Sequence, residues 1–288
     1  MSATLRPRRS VLYMPAGNER ALEKAKSIPC DAIILDLEDA VAPDAKPLAR
    51  QQAATAVTSG EYGHREVTVR CNGLTTQWGA DDLAAAAAAG PAAVVIPKVA
   101  SVADLDAVAA RLDTAGAGAT SIWAMVETPT AILDCRAIAA HPRVTALVMG
   151  TNDLARELRA PLVAGRANLV PHLATAVLAA REAGKAILDG VYNDVDDLAG
   201  FAVECRQGVE LGFDGKTLVH PGQVEPANAA WSPTDDEIAS AQRIIAAFDA
   251  AQAEGKGVVT VDGRMIENLH VHDARRTLAV AAAIAAQS

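Results

Sequence analysis

LDLEDAV, at residues 35–41, is the stretch that decides the fold, because it ends an apolar strand with a cluster of carboxylates. The apolar residues 32–35 lead directly into Asp36, Glu38 and Asp39, three carboxylates within four positions. In a parallel α/β barrel the functional side chains gather at the carboxyl ends of the strands. The stretch therefore predicts a functional site at the rim of a barrel, meaning the edge formed by the carboxyl ends of its strands. The alternative is a helix-capping role for Asp39.

The rest of the chain repeats an alternation of strand and helix. Short β-branched runs alternate with longer Ala- and Leu-rich amphipathic stretches, which is the pattern of βαβ units around a parallel sheet. No GxGxxG or P-loop pattern follows any run, which disfavours an open nucleotide-binding sheet. The pattern predicts an α/β fold, a closed (β/α)8 TIM barrel, over residues 1–232. The predicted strands are Ser10–Met14, Ala32–Leu37, Glu66–Cys71, Ala93–Lys98, Ser121–Glu127, Thr145–Gly150, Ala186–Val191 and Gly215–His220.

A C-terminal extension, residues 233–288, exceeds what closure of a barrel requires. Helices are predicted at Asp235–Gln252 and near Glu267–Ala286, and a short apolar strand between them is bracketed by glycines over residues 255–263. Glycines at both ends of a short segment are typical of a hinge. We expect a helical extension that acts either as a hinged lid or as a packed oligomerisation arm.

Composition and charge exclude several functional classes. The formal net charge of −9 argues against a nucleic-acid-binding track, and four scattered cysteines indicate neither a disulfide framework nor a thiolate zinc site. The basic start at residues 6–9 precedes too short an apolar run for a signal peptide. No stretch reaches the roughly 18–20 apolar residues that span a bilayer. We therefore expect a cytoplasmic protein with no nucleic-acid or membrane partner.

Polar side chains stand at the ends of four successive predicted strands, namely Arg70, Lys98, Glu127 and Asp153. Adjacent strands lie about 4.8 Å apart, so Glu127 and Asp153 can reach one cation. Two carboxylates without a His or Cys partner match Mg²⁺, which keeps several waters and leaves positions open for substrate oxygens. The alternative is a structural salt bridge from Glu127 to Arg70 or Lys98.

Arg70 and Lys98 suggest two different reaction types. The Arg70 guanidinium, beside the turn at Gly73, can bind a carboxylate or a thioester oxygen. Lys98 could instead form a Schiff base, as in some barrel aldolases. Nearby carboxylates favour the charged, unreactive ammonium. The residues therefore favour a metal-dependent mechanism.

The order of seven short motifs resembles the family of citrate lyase beta subunits and malyl-CoA or citramalyl-CoA lyases. The resemblance runs from about Arg9 to Leu278 and is carried by LDLEDAV, VRCNG, PKV, VET, GTNDL, GFDGKTLVHPGQV and DGRMIE. It implies a (β/α)8 barrel, bound Mg²⁺, an acyl-CoA or acyl-carrier thioester substrate and a homotrimer or homohexamer. It also implies that Glu127 and Asp153 ligate the metal and that Arg70 binds substrate.

The resemblance implies further roles outside these strand ends. Tyr13, Arg20 and Lys24 would contact the CoA side of the ligand, and Arg20 and Lys24 stand four residues apart on one predicted helix face. Many members place an aspartate after Met-Ile, where this chain has Glu267. A glutamate can still move protons, so Glu267 is the expected catalytic proton carrier. The change leaves the choice between lyase and thioesterase open.

The activity implied is Mg²⁺-dependent, reversible C–C cleavage of a 3-hydroxy-3-carboxyacyl-CoA of the citramalyl-CoA or malyl-CoA type. The products would be acetyl-CoA and a 2-oxoacid such as pyruvate, glyoxylate or oxaloacetate. One alternative is a citrate lyase beta subunit acting on a citryl-acyl-carrier-protein thioester, and another is a malyl-CoA thioesterase. A CoA-binding regulatory barrel is the non-enzymatic alternative.

Overall fold

The computed structural model describes residues 5–287, which fall into two compact units. The larger unit runs from Arg8 to Ala230. The described part of the smaller unit consists of residues 5–7 and 231–287. The strands of the larger unit are β1 (Ser10–Pro15), β2 (Ala32–Asp36), β3 (Glu66–Arg70), β4 (Ala93–Ile96), β5 (Ser121–Val126), β6 (Val144–Met149), β7 (Ala186–Asp189) and β8 (Gly215–Leu218).

These strands are parallel and close into one barrel in which strands adjacent in sequence are also adjacent in space. The ring is completed by β1 and β8, with Val11 opposite Thr217. The predicted (β/α)8 barrel is therefore confirmed. The predicted carboxyl ends of β4, β7 and β8 are two residues too long. At β4 the reason is local, because Lys98 turns into the left-handed region with φ 52°.

Helices follow the strands around the barrel. They are α1 (Glu19–Ala25), α2 (Lys46–Ser59), α3 (Gly79–Ala89), α4 (Val102–Thr114), α5 (Pro129–Leu133), α6 (Cys135–Ala140), α7 (Thr151–Glu157), α8 (Val170–Glu182), α9 (Leu198–Leu211) and α10 (Val224–Ala230). A helix in the β5–β6 connection is interrupted at Asp134, which separates α5 from α6. No helix within residues 5–287 has the length and apolar character needed to cross a membrane.

The barrel interior is filled by side chains from alternating strand positions. The strands of a parallel barrel are buried on both faces, and this explains their continuous apolar character. One apolar cluster takes residues from β1, β2 and β4–β7, among them the fully buried Trp123. With aromatic residues at only 3% of the chain, most of the filling is Ala, Val, Ile and Leu. This packed interior supports the residues at the strand ends.

The smaller unit contains two long helices and a hairpin. Helix α11 (Asp235–Ala253) precedes β9 (Val259–Val261), β10 (Arg264–Ile266) and α12 (Asn268–Ala285). The predicted strand is confirmed as β9, and β10, which was not predicted, pairs antiparallel with it across Asp262 and Gly263. Both loop residues have positive φ, 52° and 76°, as a tight two-residue hairpin requires. Gly263 thus forms a turn, and Phe248, Ile266 and Val271 form this unit's core.

Candidate active site

Arg70 lies beside Asp36 because β2 and β3 pair in a register that places their last residues opposite each other. Arg70 Nε donates to Asp36 Oδ1 at 2.7 Å, and Nη2 donates to Oδ2 at 2.7 Å. Asp36 is 1% exposed, and it also accepts the backbone N–H groups of Glu38 and Ala40. A bidentate pair of this kind fixes the plane of the guanidinium. Asp36 therefore orients Arg70.

The Nη1 group of Arg70 is close to the other two carboxylates of LDLEDAV. It lies 2.9 Å from Glu38 Oε2 and 3.6 Å from Asp39 Oδ2. Glu38 Oε1 accepts a hydrogen bond from Lys98 Nζ at 2.8 Å, and burial raises the pKa of Glu38 despite these cations. The helical turn that follows is capped at Ala42, so the helix-capping alternative for Asp39 is wrong.

The three residues predicted to contact CoA lie in two places. The Tyr13 ring packs against Arg70, whose Cζ is 4.8 Å from the ring centroid. Burial raises the pKa of Tyr13, so its hydroxyl stays protonated. Arg20 and Lys24 are exposed on α1 and are not among the residues that line the cavity containing Tyr13. Their role in CoA binding stays a prediction.

Glu127 follows β5 and is almost completely buried, with 1% of its surface exposed. Its Oε1 accepts the backbone N–H of Lys98 at 2.7 Å. Gly150 leaves room for this carboxylate, because a Cβ at that position would lie 2.2 Å from Glu127 Oε2. Burial, together with the negative charge of Glu38, raises the pKa of Glu127 to about 7. The alternative salt bridge from Glu127 to Arg70 or Lys98 is not formed in the described chain.

Asp153 lies in the first turn of α7, directly after β6. Its Oδ1 is 2.7 Å from Arg156 Nη2, and its side chain is 19% exposed. Asp153 and Glu127 line the same cavity, and the charge of Asp153 adds to the effect of burial in raising the pKa of Glu127. A metal ion would therefore compete with the largely exposed Arg156 for the carboxylate of Asp153.

A cavity of about 350 Å³ lies at the carboxyl ends of the barrel strands. Its wall includes Tyr13, Asp36, Arg70, Glu127 and Asp153. The Glu127 and Asp153 oxygens are the ligand type that Mg²⁺ prefers. The pKa of Glu127 is raised by burial and by the negative charge of Glu38, and a divalent cation would offset both effects. Residues 5–287 hold no group of three or more His, Cys, Asp or Glu side chains suited to a metal. Two carboxylates fit Mg²⁺, which commonly keeps several water ligands.

Lys98 follows β4, and both its backbone and its side chain contact this rim. Its backbone N–H binds Glu127, and its ammonium binds Glu38. Burial disfavours the charged form, but the hydrogen bond to Glu38 and the negative charges of Glu38, Glu127 and Asp153 together raise the pKa of Lys98. A raised pKa holds the amine protonated and therefore unreactive toward a carbonyl group. The geometry thus favours a positioning role over a Schiff base.

A buried ion network supports the loop after β7 and was not anticipated from the sequence. Asp189 is fully buried, and it lies 2.7 Å from Arg166 Nη1 and 3.0 Å from Lys216 Nζ. Although burial opposes ionisation, the two cations lower the pKa of Asp189. Glu204 also contacts Lys216, at 2.8 Å. The network anchors the backbone of Gly190, whose N–H donates to Asp189.

A second cavity, of about 510 Å³, lies beside the first and was also not anticipated. Thr151, Asn152, Val191 and Asn193 line both cavities. The two asparagine side chains donate to each other reciprocally at 3.0 and 2.8 Å, which links the loops after β6 and β7. The only sequence signal was the GTNDL motif, which contains Asn152 but gives no indication of its partner.

Glu267 belongs to the smaller unit. It is exposed at the start of α12, and its backbone N–H donates to His270 Nδ1 at 3.2 Å. Its side chain takes part in a capping box at the helix N-terminus. The predicted role of Glu267 in proton transfer stays a prediction.

Comparison with known proteins agrees with the fold. Residues 9–221 match the HpcH/HpaI aldolase/citrate lyase family. The chain is 51% identical over 286 residues to the (3S)-malyl-CoA thioesterase of Cereibacter sphaeroides strain KD131, with 99% of each chain covered. It is 34% identical over 280 residues to citrate lyase subunit beta of Escherichia coli K12, with 95% of this chain and 93% of that one covered.

A solved structure is similar over most of the chain. CitE from Mycobacterium tuberculosis, in complex with magnesium, acetoacetate and coenzyme A, superimposes with a TM-score of 0.80 and 29% identity. The match covers 96% of this chain and 100% of that one. The resemblance carried by the sequence motifs is thereby confirmed. The chain belongs to the HpcH/HpaI aldolase/citrate lyase family.

Proposed function

We propose that this protein is a Mg²⁺-dependent enzyme that cleaves a 3-hydroxy-3-carboxyacyl thioester of the malyl-CoA or citramalyl-CoA type. The observation that carries the proposal is the cavity at the barrel rim, which brings Arg70 together with Glu127 and Asp153. The magnesium, acetoacetate and coenzyme A bound by the similar CitE support the same ligand class here.

Glu127 and Asp153 are the residues that would hold Mg²⁺. The bound ion would polarise the substrate's oxygen on the carbon next to its carboxylate. Glu127 is positioned by the Lys98 backbone and by the space that Gly150 leaves. Asp153 is positioned by the first turn of α7. Both side chains are thus arranged before substrate arrives, which lowers the cost of organising the site.

Arg70 is the residue that would bind the thioester carbonyl oxygen. Asp36 and Tyr13 fix the orientation of its guanidinium. Its Nη1 group does not bond Asp36 and lies 2.9 Å from Glu38 Oε2, so the substrate oxygen would share Nη1 with Glu38. Negative charge develops on the thioester oxygen whether the C–S bond is hydrolysed or the C–C bond breaks to give an enolate. A fixed cation at that oxygen lowers the barrier for either reaction.

Hydrolysis of the thioester is the reaction that we place first. The supporting observation is the 51% identity to a (3S)-malyl-CoA thioesterase over nearly the full length of both chains. The products would then be free CoA and the hydroxydicarboxylic acid. C–C cleavage to acetyl-CoA and a 2-oxoacid is the second candidate. It is favoured by the 34% identity to citrate lyase subunit beta and by the residues at the rim.

Product analysis tests the proposal and separates the two reactions. The purified protein is incubated with (3S)-malyl-CoA and Mg²⁺, and the CoA species are resolved by chromatography. Free CoA with malate indicates hydrolysis, whereas acetyl-CoA with glyoxylate indicates C–C cleavage. A matched sample with a chelator in place of Mg²⁺ should give neither set of products. Absence of turnover on both malyl-CoA and citramalyl-CoA in the presence of Mg²⁺ would contradict the proposal.

A further inference from the structure

We infer that the second cavity is the subsite for the substituent on the substrate's hydroxyl-bearing carbon, and that the Asn152–Asn193 pair limits the size of that substituent. The inference deepens the proposed function and rests on it. It begins from the order of strands in the barrel. Arg70, assigned to the thioester oxygen, ends β3, and the carboxylates assigned to the metal follow β5 and β6.

The second cavity lies on the side of these carboxylates that faces away from Arg70, toward β7. Its walls come from the loops after β6 and β7 and from α9. A substrate chelated between β5 and β6, with its thioester directed toward β3, therefore has its remaining substituent directed toward β7. That substituent is hydrogen in a malyl group and methyl in a citramalyl group. Larger groups would reach the Asn152–Asn193 pair, which lines both cavities.

The chemistry of the second cavity selects an apolar substituent. Leu162, Val163 and Val203 contribute side chains that are 57%, 42% and 53% exposed. The Arg166 guanidinium in its wall is already paired with Asp189 at 2.7 Å. An alkyl chain would bury these exposed apolar surfaces.

The same cavity disfavours an anionic substituent. Asp194 and Asp197 line it, and within residues 5–287 both accept hydrogen bonds only from uncharged donors, which are backbone N–H groups and the hydroxyl of Tyr192. In the described part of the chain neither aspartate forms an ion pair, since Arg166 in the same wall is paired with Asp189 and Glu204. A second carboxylate on the substrate would therefore be repelled. The expected ligands are 2-oxoacids, or the corresponding 3-hydroxy-3-carboxyacyl thioesters, with an aliphatic side chain.

The asparagine pair is a barrier that a single substitution can remove. Both side chains are exposed, and their two hydrogen bonds join uncharged groups. Exposed neutral hydrogen bonds contribute little to stability. Asn193→Ala should therefore join the cavities without unfolding the barrel. Asn168→Ala is the matched control, because Asn168 is also exposed, lies outside both cavities and donates to the carbonyl of Pro161.

The test is calorimetric binding of pyruvate, 2-oxovalerate and 2-oxoglutarate to the full-length protein with Mg²⁺. Each buried methylene contributes roughly fourfold in affinity. 2-Oxovalerate has two more methylenes than pyruvate, so Asn193→Ala should bind it about 15-fold more tightly than the wild type does, with pyruvate nearly unchanged. 2-Oxoglutarate has the same chain length with a terminal carboxylate, and it should show no gain. Adding Val203→Phe, which fills the second cavity, should abolish the gain for 2-oxovalerate.

The outcomes separate this inference from the proposed function. If pyruvate binds but Asn193→Ala leaves the ratio of 2-oxovalerate to pyruvate affinity at the wild-type value, the inference alone is overturned. An equal gain in Asn168→Ala, or an equal gain for 2-oxoglutarate, overturns it as well. If pyruvate binds none of the variants with Mg²⁺ present, the metal-chelating site of the proposed function fails and the inference fails with it.

Discussion

Replacing Arg70 with lysine should nearly abolish turnover while leaving the barrel folded. Arg70 makes two hydrogen bonds of 2.7 Å to Asp36 and places Nη1 2.9 Å from Glu38. A lysine ammonium is a single point charge and can replace only one of the bonds to Asp36. Loss of the other charge-assisted bond should reduce the free energy of unfolding by about 1.5–3 kcal/mol. Loss of the oriented donor at the thioester oxygen should reduce kcat by about 10²–10³-fold.

The assay measures turnover of malyl-CoA at saturating Mg²⁺ together with denaturant unfolding. Arg136→Lys is a matched control, because Arg136 makes the same bidentate pair with Glu182 on the exposed surface, at 2.8 and 2.6 Å. It should leave kcat and the unfolding midpoint unchanged. If Arg70→Lys retains turnover within a few-fold of the wild type, Arg70 has only a structural role and the assignment to the thioester oxygen is wrong.

Four further predictions follow from other parts of the structure. Glu127→Ala and Asp153→Ala should each abolish Mg²⁺ binding in calorimetry while the protein still melts cooperatively; an unchanged Mg²⁺ affinity would contradict the ligand assignment. Borohydride reduction in the presence of pyruvate should add no mass at Lys98, and an adduct mapped there would replace the metal mechanism with an imine mechanism. Glu267→Gln should lower kcat with little change in pyruvate binding if this residue moves protons, and wild-type turnover would assign the extension to packing or assembly. Lys216→Met should lower the free energy of unfolding by about 3–5 kcal/mol, because it removes one partner of a buried ion network; an unchanged unfolding midpoint would contradict that role.

The barrel could be predicted from the sequence because its strands alternate regularly with helices and are apolar on both faces. The predicted ends came within two residues of those observed. Gathering of Arg70, Glu127 and Asp153 at one cavity could also be predicted, since parallel strands end at the same edge of the barrel. This prediction needs only the order of the strands and the fact that each of the three residues stands at or just after the end of its strand.

Contacts that depend on register and side-chain conformation could not be predicted. The bidentate pair between Arg70 and Asp36 follows from the alignment of β2 with β3, which no local pattern specifies. The Asn152–Asn193 pair joins residues 41 positions apart through side-chain rotamers. The sequence predicts a hinge at Gly263, whereas the residue forms a hairpin turn. The turn depends on the pairing of β9 with β10, which no local pattern indicates.

The most direct test of the central claim is anomalous diffraction from crystals soaked with Mn²⁺, a hard cation that accepts the same oxygen ligands as Mg²⁺. Occupation of the rim should give one strong anomalous peak within bonding distance of a carboxylate oxygen of both Glu127 and Asp153. The same soak of Glu127→Ala crystals should give no peak at that position. A wild-type crystal with no peak between these two side chains, or with its strongest peak elsewhere on the barrel, would contradict the account.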